Sequence, residues 1–354
     1  MRREDQLIRQ IAAAIPSRRG RRAHGNLILG IGDDAAIFAS RTKKEWIVSS
    51  DAFIEGTHFL SSNYPPESVG YKSLTRAASD ICAMGASPEL FLLTIALPRS
   101  RTGKWLDQML RGMGRAARGL GIRLAGGDTT TSSSVLISIT VFGQVRLGRA
   151  LTRSKARPGD ILYVSGPLGR AQLGFELVRK GLGLERRFAN LARPHLYPRI
   201  RVALGRWLAE RGAASAMIDI SDGLSTDLAR VAAASRVGAR LWTEAIPRVR
   251  VPAPASRALG GLDPLEMALH GGDDYELLFT IPRRHVKWLE AAPGFRELTA
   301  IGEITRERRI LLEDAAGRSH PLDPRGWDPF RARRHAYSQR ARPLGARPIP
   351  RHLS

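Results

Sequence analysis

The chain has 354 residues, enough for two or three domains with a buried core, and its hydrophobic content of 43% is ordinary for a globular protein. A single cysteine, Cys82, excludes an internal disulfide framework and fits a reducing, cytoplasmic setting. No apolar run approaches the roughly 20 residues that span a bilayer, so a membrane partner is not expected.

The net charge of +23 raises nucleic acid as a partner, but its placement argues for something more peripheral. Arg18, Arg19, Arg21 and Arg22 cluster near the start, and Arg331 to Ser354 holds seven arginines, no lysine and no acid. Both read as surface or flexible segments. Aromatics make up only 6% of the chain and do not interleave with the basic residues as a single-strand binding platform would require.

The first element is an amphipathic helix in the N-terminal residues, whose early acids and helical spacing exclude a signal peptide. Leu29 to Phe38 then places the adjacent carboxylates Asp33 and Asp34 after a Gly-Ile-Gly turn. These repel each other and would need compensating cations. Trp46 to Ser50 reads as a strand, with Asp51 to Phe59 as its polar continuation. Pro65 and Pro66 start a helix through Met84, with Leu74, Ala77, Ala78 and Ile81 on its apolar side and Lys72, Arg76 and Asp80 on its polar side. On that polar side Asp80 is either a surface ion pair with Arg76 or a ligand. Cys82 packs the same helix.

Leu90 to Leu97 reads as a buried strand, Trp105 to Leu120 as a helix with a strong apolar stripe, and Val135 to Val145 as an alternating antiparallel strand. Beyond a boundary at Gly148 to Leu151 the pattern changes to strand 161–165, helix 170–180, helix 199–210, strand 216–220, helix 224–235 and strands 275–281 and 298–304. This predicts an α/β architecture, of the α+β kind, with domains at 1–150 and 151–330 and a basic tail at 331–354.

Carboxylates recur at strand ends. After Asp33 come Ser49-Ser50-Asp51, Gly126-Gly127-Asp128, Asp219-Ile220-Ser221-Asp222-Gly223 and Gly271-Gly272-Asp273-Asp274. One such copy is as well explained by a turn; five point to hard divalent cations and, through them, phosphate. Gly30 to Ala35 formally fits a dinucleotide fingerprint, but two carboxylates there would oppose a pyrophosphate, and the P-loop pattern is absent. Gly127 with Asp128 suits either a phosphate approach or a hairpin turn, Arg153 either a phosphate fork or a solvated arginine, and His58 either a substrate contact or a cap.

Taken together, GIGDDAAIF, SSDAFIEGTHF, GYKSLTRAASDICAMGASP, GGDTT, LTRSKARPGD, IDISDGLSTDL and HGGDDYELLFT, in this order, resemble the thiamine-monophosphate kinase family of the aminoimidazole-ribonucleotide synthetase-like superfamily. The resemblance covers residues 5 to 330. It implies an N-terminal sheet domain that pairs with a second subunit as a homodimer, a C-terminal α/β domain, and ATP bound with several magnesium ions. It further implies Asp33, Ser49, Ser50, Asp51, Asp80, Asp128, Asp219 and Asp222 as metal ligands. Gly127, Asp128, Arg153 and Ser221 would contact ATP, and His58, Asp273 and Trp327 thiamine monophosphate. The expected reaction is in-line transfer of the γ-phosphoryl group to the phosphate of thiamine monophosphate, which needs no strong general base. Two departures stand out. Family members often carry Glu where this chain has Asp273, and an aromatic that can sit beside the nucleotide is replaced in the Gly119-Leu120 region.

The superfamily's selenophosphate synthetases and hydrogenase-maturation dehydratases need a reactive cysteine near one terminus, and none is present. A purine-biosynthetic synthetase is disfavoured by the GTHF and GGDDYEL segments, and an inactive nucleic-acid-binding scaffold by the intact aspartate set. If the excess charge is peripheral, nucleic acid should bind the full chain with a steep salt dependence that disappears in a chain ending at Phe330. A salt slope unchanged by the truncation would place the basic surface in the folded body.

Overall fold

The computed structural model describes residues 6, 8, 26–40, 42–290, 295 and 297–330. Most of the expected N-terminal helix, the Arg18 to Arg22 cluster and the tail from Arg331 lie outside the described residues.

The first half builds one sheet and two helices. In chain order these are β1 (Leu27–Leu29), β2 (Ala36–Ala39), β3 (Lys44–Ile54), α1 (Pro66–Ala83), β4 (Ser87–Leu97), α2 (Lys104–Leu120), β5 (Arg123–Thr131) and β6 (Leu136–Arg146). The strand order is β1-β2-β3-β6-β4-β5, antiparallel except for the parallel β4/β5 pair. Because successive residues of a strand face opposite sides, the polar pattern of β3 sorts cleanly. Ile47, Ser49 and Phe53 are buried beneath the helices, whereas Lys44 and Ser50 lie on the outer face. The alternation read in β6 holds, with Ile137, Ile139, Val141 and Val145 all buried.

The second half contains β7 (Ile161–Val164), α3 (Arg170–Arg179), α4 (Ala189–Leu196), α5 (Val202–Arg211), β8 (Ala216–Ile220), α6 (Leu224–Ser235) and β9 (Gly238–Trp242). It continues with α7 (Ala253–Leu259), α8 (Pro264–His270), β10 (Glu276–Ile281), α9 (Val286–Glu290), β11 (Thr299–Thr305), β12 (Ile310–Glu313) and β13 (Ser319–Pro321). Its sheet runs β13-β12-β9-β11-β7-β10-β8, with β12 and β9 the parallel neighbours. Among the described residues no helix is long and apolar enough to cross a membrane.

Helix α1 is the element on which both halves close. Thirteen of its 18 residues are buried, so it has no broad solvated face. The predicted apolar side, Leu74, Ala77, Ala78 and Ile81, is fully buried, as is Cys82. The side read as polar is covered as well: Lys72 is 1% exposed, and the Ser79 hydroxyl donates to Asp219 of β8 at 2.5 Å. The hairpin turn that was one of two readings of Gly127 and Asp128 does not form; Gly126 to Thr130 is part of β5, pairing with β4. The sequence offers little periodicity there, since every residue of this edge strand is exposed.

Helices α1 and α2 cross at van der Waals distance because glycine occupies both sides of the contact. A Cβ at Gly70 would lie 1.9 Å from the Met109 carbonyl oxygen, and one at Gly112 would lie 1.8 Å from that of Glu67. Gly112→Ala should therefore cost about 1–3 kcal/mol of stability by overpacking. Gly119→Ala, later on the same helix and with nothing within 4 Å, should be neutral or stabilise by up to about 1 kcal/mol. Urea unfolding midpoints of the two variants would check the contrast.

Candidate active site

The Asp33-Asp34 pair divides its labour. Asp33 Oδ1 accepts the Asp34 N–H at 3.0 Å, and both Asp33 oxygens accept the Arg153 N–H, at 3.2 and 3.3 Å. Its carboxylate thus caps the turn and ties the first half to the second. Asp34 points the other way, with Oδ1 gripped by Nε and Nη2 of Arg153. Asp34 Oδ2 is buried and has no hydrogen-bond partner among the described residues. The cation expected from the repulsion between the pair is therefore Arg153.

It is Asp34, and not Asp33, whose carboxylate meets two others. One oxygen each from Asp34, Asp80 and Asp219 lie within 4.8 Å of one another. Asp80 comes from α1 and Asp219 from β8, so the cluster forms only when α1 is seated between the two sheets. Ser49, on the inner face of β3, donates to Asp80 at 2.5 Å, as Ser79 does to Asp219. Burial raises both acids and neighbouring carboxylates raise them further, Asp80 well above the usual range and Asp219 to about 8. Burial and then Asp34 likewise lift Asp33 to about 6.

Asp51 lies two residues beyond Ser49 on the same face. Its partner is Arg76, whose Nε and Nη2 donate to the two carboxylate oxygens at 2.7 and 3.2 Å. The surface ion pair between Arg76 and Asp80 considered from helical spacing does not form; Arg76 turns to Asp51 and Asp80 to the cluster.

Next to this acidic centre lies a cleft of about 130 Å³ lined by residues of both halves, among them His58, Arg76, Ser221, Asp222, Asp273 and Trp327. His58 Nδ1 accepts the Ile54 N–H at 3.0 Å, which leaves Nε2 carrying the proton. Burial, then Arg76, pushes its pKa down to about 4, so it is neutral. The His58 and Trp327 rings are 6.4 Å apart. Trp327 is held from the backbone, its N–H donating to the Asp222 carbonyl at 2.9 Å. The neighbouring Gly326 has no room for a side chain, since a Cβ would lie 2.0 Å from that same carbonyl.

Asp273 sits at φ 68°, a left-handed conformation uncommon for a residue with a side chain. Its N–H donates to the Ser221 carbonyl at 2.8 Å, and its carboxylate meets Lys72 Nζ at 2.8 Å and the Tyr275 hydroxyl at 2.7 Å. Burial alone would raise its pKa; Lys72 foremost, with Arg76, outweighs burial and holds it well below the usual range. The adjacent Asp274 is structural, accepting the N–H groups of Gly169 and Ala171 at the start of α3. Asp222 pairs with Arg230 at 2.6 Å, and Asp227 beneath it with the same arginine at 2.7 Å.

Ser50 and Asp128 are not brought to this centre. Ser50 bonds Thr140 on the outer face of the first sheet. Asp128 pairs across β4 and β6 with the row containing Ala52, so it shares that outer face. Three strand spacings separate it from β3, roughly 14 Å. Gly127 lies beside it, where a Cβ would come 1.8 Å from the Leu93 carbonyl oxygen; close strand pairing alone requires glycine there.

Residues 32–145 match the family model described as AIR synthase related protein, N-terminal domain, and residues 157–314 match the corresponding C-terminal domain. The chain is 35% identical over 312 residues to the thiamine-monophosphate kinase of Escherichia coli O157:H7, covering 85% of this chain and 92% of that one. It is 33% identical to the Bacillus subtilis strain 168 enzyme of the same name, covering 87% and 95%. The chain belongs to the thiamine-monophosphate kinase family. Its structure resembles that of AaThiL complexed with AMPPCP and TMP, with a TM-score of 0.78, 30% identity, and coverage of 92% of this chain and 98% of that one.

The raised carboxyls have a consequence for stability. Asp219 titrates near 3.8 when unfolded and near 8 when folded, so between these values the folded state holds the extra proton. Its contribution is full below the lower value and is lost as pH rises through the upper one. Between about pH 7 and 8.5 protein held in a chelator should therefore lose stability as pH rises. Asp219→Asn should flatten this fall, as read by thermal unfolding in a chelator at the two ends of that range.

Proposed function

We propose that this chain transfers the γ-phosphoryl group of ATP to the phosphate of thiamine monophosphate, giving thiamine diphosphate and ADP, with magnesium bound at the acidic centre. The observation that carries this reading is that the Asp34-Asp80-Asp219 cluster and the cleft of His58, Asp273 and Trp327 are built on shared elements, Asp80 one helical turn from Arg76 of the cleft and Asp219 two residues before Ser221 of its lining.

The cluster suits a hard cation. It offers only oxygen, it comes from three separate segments, and Asp34 Oδ2 is a buried acceptor with no donor among the described residues. Asp34, Asp80 and Asp219 would hold magnesium, with Ser49, Asp51 and Asp222 close by and Asp33 fixing the turn. When bound, magnesium supplies the positive charge that lets two anionic reactants approach. Arg153 and Ser221 stand at the nucleotide side, Arg153 anchored through Asp34.

On the acceptor side, His58 presents a neutral N–H and a ring opposite the Trp327 indole, a wall suited to the aromatic rings and cationic thiazolium of the substrate. Asp273, held ionised, is an acceptor for the aminopyrimidine. No group in the cleft need act as a base, since the attacking phosphate oxygen is already ionised.

The outer face of the first sheet supports a homodimer. Leu92 and Phe38 are 39% and 36% exposed there, beside Ser50, Thr140 and Asp128. A second copy of the same face would cover them. Pairing would also carry Asp128 and Gly127 toward a nucleotide site that neither reaches alone. A cytoplasmic location and the division at 150/151 complete the reading.

An ADP-coupled assay should show turnover with thiamine monophosphate and none with thiamine; equal rates with both would sink the proposal. Asp219→Asn should lower kcat about 100-fold or more while leaving a folded protein. Trp327→Ala should raise KM for thiamine monophosphate about tenfold with a smaller change in kcat. An unchanged KM would make the indole a packing residue only.

A further inference from the structure

Arg76 has no role in the expectations above, yet it stands between the acidic centre and the substrate cleft. Its side chain is 18% exposed and lines the cleft. Asp51 engages Nε and Nη2, and the Phe53 ring lies 5.4 Å below the guanidinium carbon. Nη1 has no hydrogen-bond partner among the described residues. The guanidinium is thus held on one edge and one face, with its remaining edge available.

Among the described residues lining the cleft, Arg76 is also the one permanent cation. His58, His195 and His270 are all pushed toward the neutral form, by burial first and by neighbouring cations second. Lys72 lies behind the wall, 1% exposed and committed to Asp273. A phosphate brought into this cleft beside Asp222 and Asp273 would otherwise face carboxylates and neutral rings.

We propose that Arg76 binds the phosphate of the acceptor, thiamine monophosphate, with Asp51 and Phe53 holding the guanidinium ready beside the acidic centre. This rests on the functional reading above and adds to it the group that recognises the acceptor's charge. Arg76 would discriminate the phosphorylated substrate from thiamine, while the Trp327 and Asp273 end reads the rings common to both. Because the guanidinium is already fixed, little side-chain entropy is lost when phosphate arrives.

The test is equilibrium binding without ATP, by calorimetry in the presence of magnesium, of thiamine monophosphate and thiamine to the wild-type chain, Arg76→Met and Arg76→Lys. Arg76→Met should weaken thiamine monophosphate about 10- to 100-fold, the range for a charged hydrogen-bonded contact, and leave thiamine within about twofold. Arg76→Lys keeps the charge and loses the fork, so it should recover part of the loss. The unchanged thiamine affinity serves as the check that the cleft is intact. Equal losses for both ligands in Arg76→Met, or no loss of thiamine monophosphate in either variant, would overturn the assignment. A wild-type chain that binds thiamine monophosphate no better than thiamine would overturn the functional reading as well, so the two failures are told apart.

Discussion

Mutual repulsion among buried carboxylates is the constraint around which this molecule is arranged. Two unit charges about 5 Å apart interact by about 3 kcal/mol at the effective dielectric of a partly buried site, and here three acids meet. Nothing in packing alone would assemble Asp34, Asp80 and Asp219. They are brought together by turn, helix and strand, and the repulsion is moderated by Arg153 on Asp34 and by hydroxyls of Ser49 and Ser79 on the other two. The protein keeps an unfavourable centre where stability alone would favour neutral residues, as functional sites commonly do.

Helix α1 carries most of this burden. Lys72, Arg76, Ser79 and Asp80 fall on successive turns of one side, so a single rigid element presents Lys72 to Asp273, Arg76 to Asp51, Ser79 to Asp219 and Asp80 to the cluster. The glycine-mediated crossing with α2 fixes its depth, and burial on nearly every side fixes its rotation. The cleft wall and the acidic cluster are therefore referred to one helix axis.

Much of this was legible in the chain. The strands and helices with clear periodicity, such as β6, α2, β8 and α6, fall where the pattern puts them. Of the aspartates spread along strand ends and turns, Asp80 and Asp219 come together with Asp34 in one cluster. What escaped has physical causes. The edge strand β5 is wholly exposed and carries no alternation, and α4, α7 and α8 are too short for a helical pattern to stand out. Within the Asp33-Asp34 pair, spacing cannot say which carboxylate caps the turn and which projects; the 3.0 Å bond from the Asp34 N–H to Asp33 decides it. Helical spacing offers Arg76 only its i+4 neighbour Asp80 as a partner, because it is blind to Asp51 on a strand across the core.

The strap that carries Trp327 reaches the cleft through main-chain bonds. Gly326 donates to the Thr226 hydroxyl and Trp327 to the carbonyl of Asp222, with no space at Gly326 for anything larger than hydrogen. The indole is thereby registered against the same turn that carries Ser221 and Asp222 into the cleft lining. A shift of that turn must drag the aromatic wall with it, so the gauge of the opening is set by peptide geometry, and donor and acceptor pockets would tighten or slacken in step.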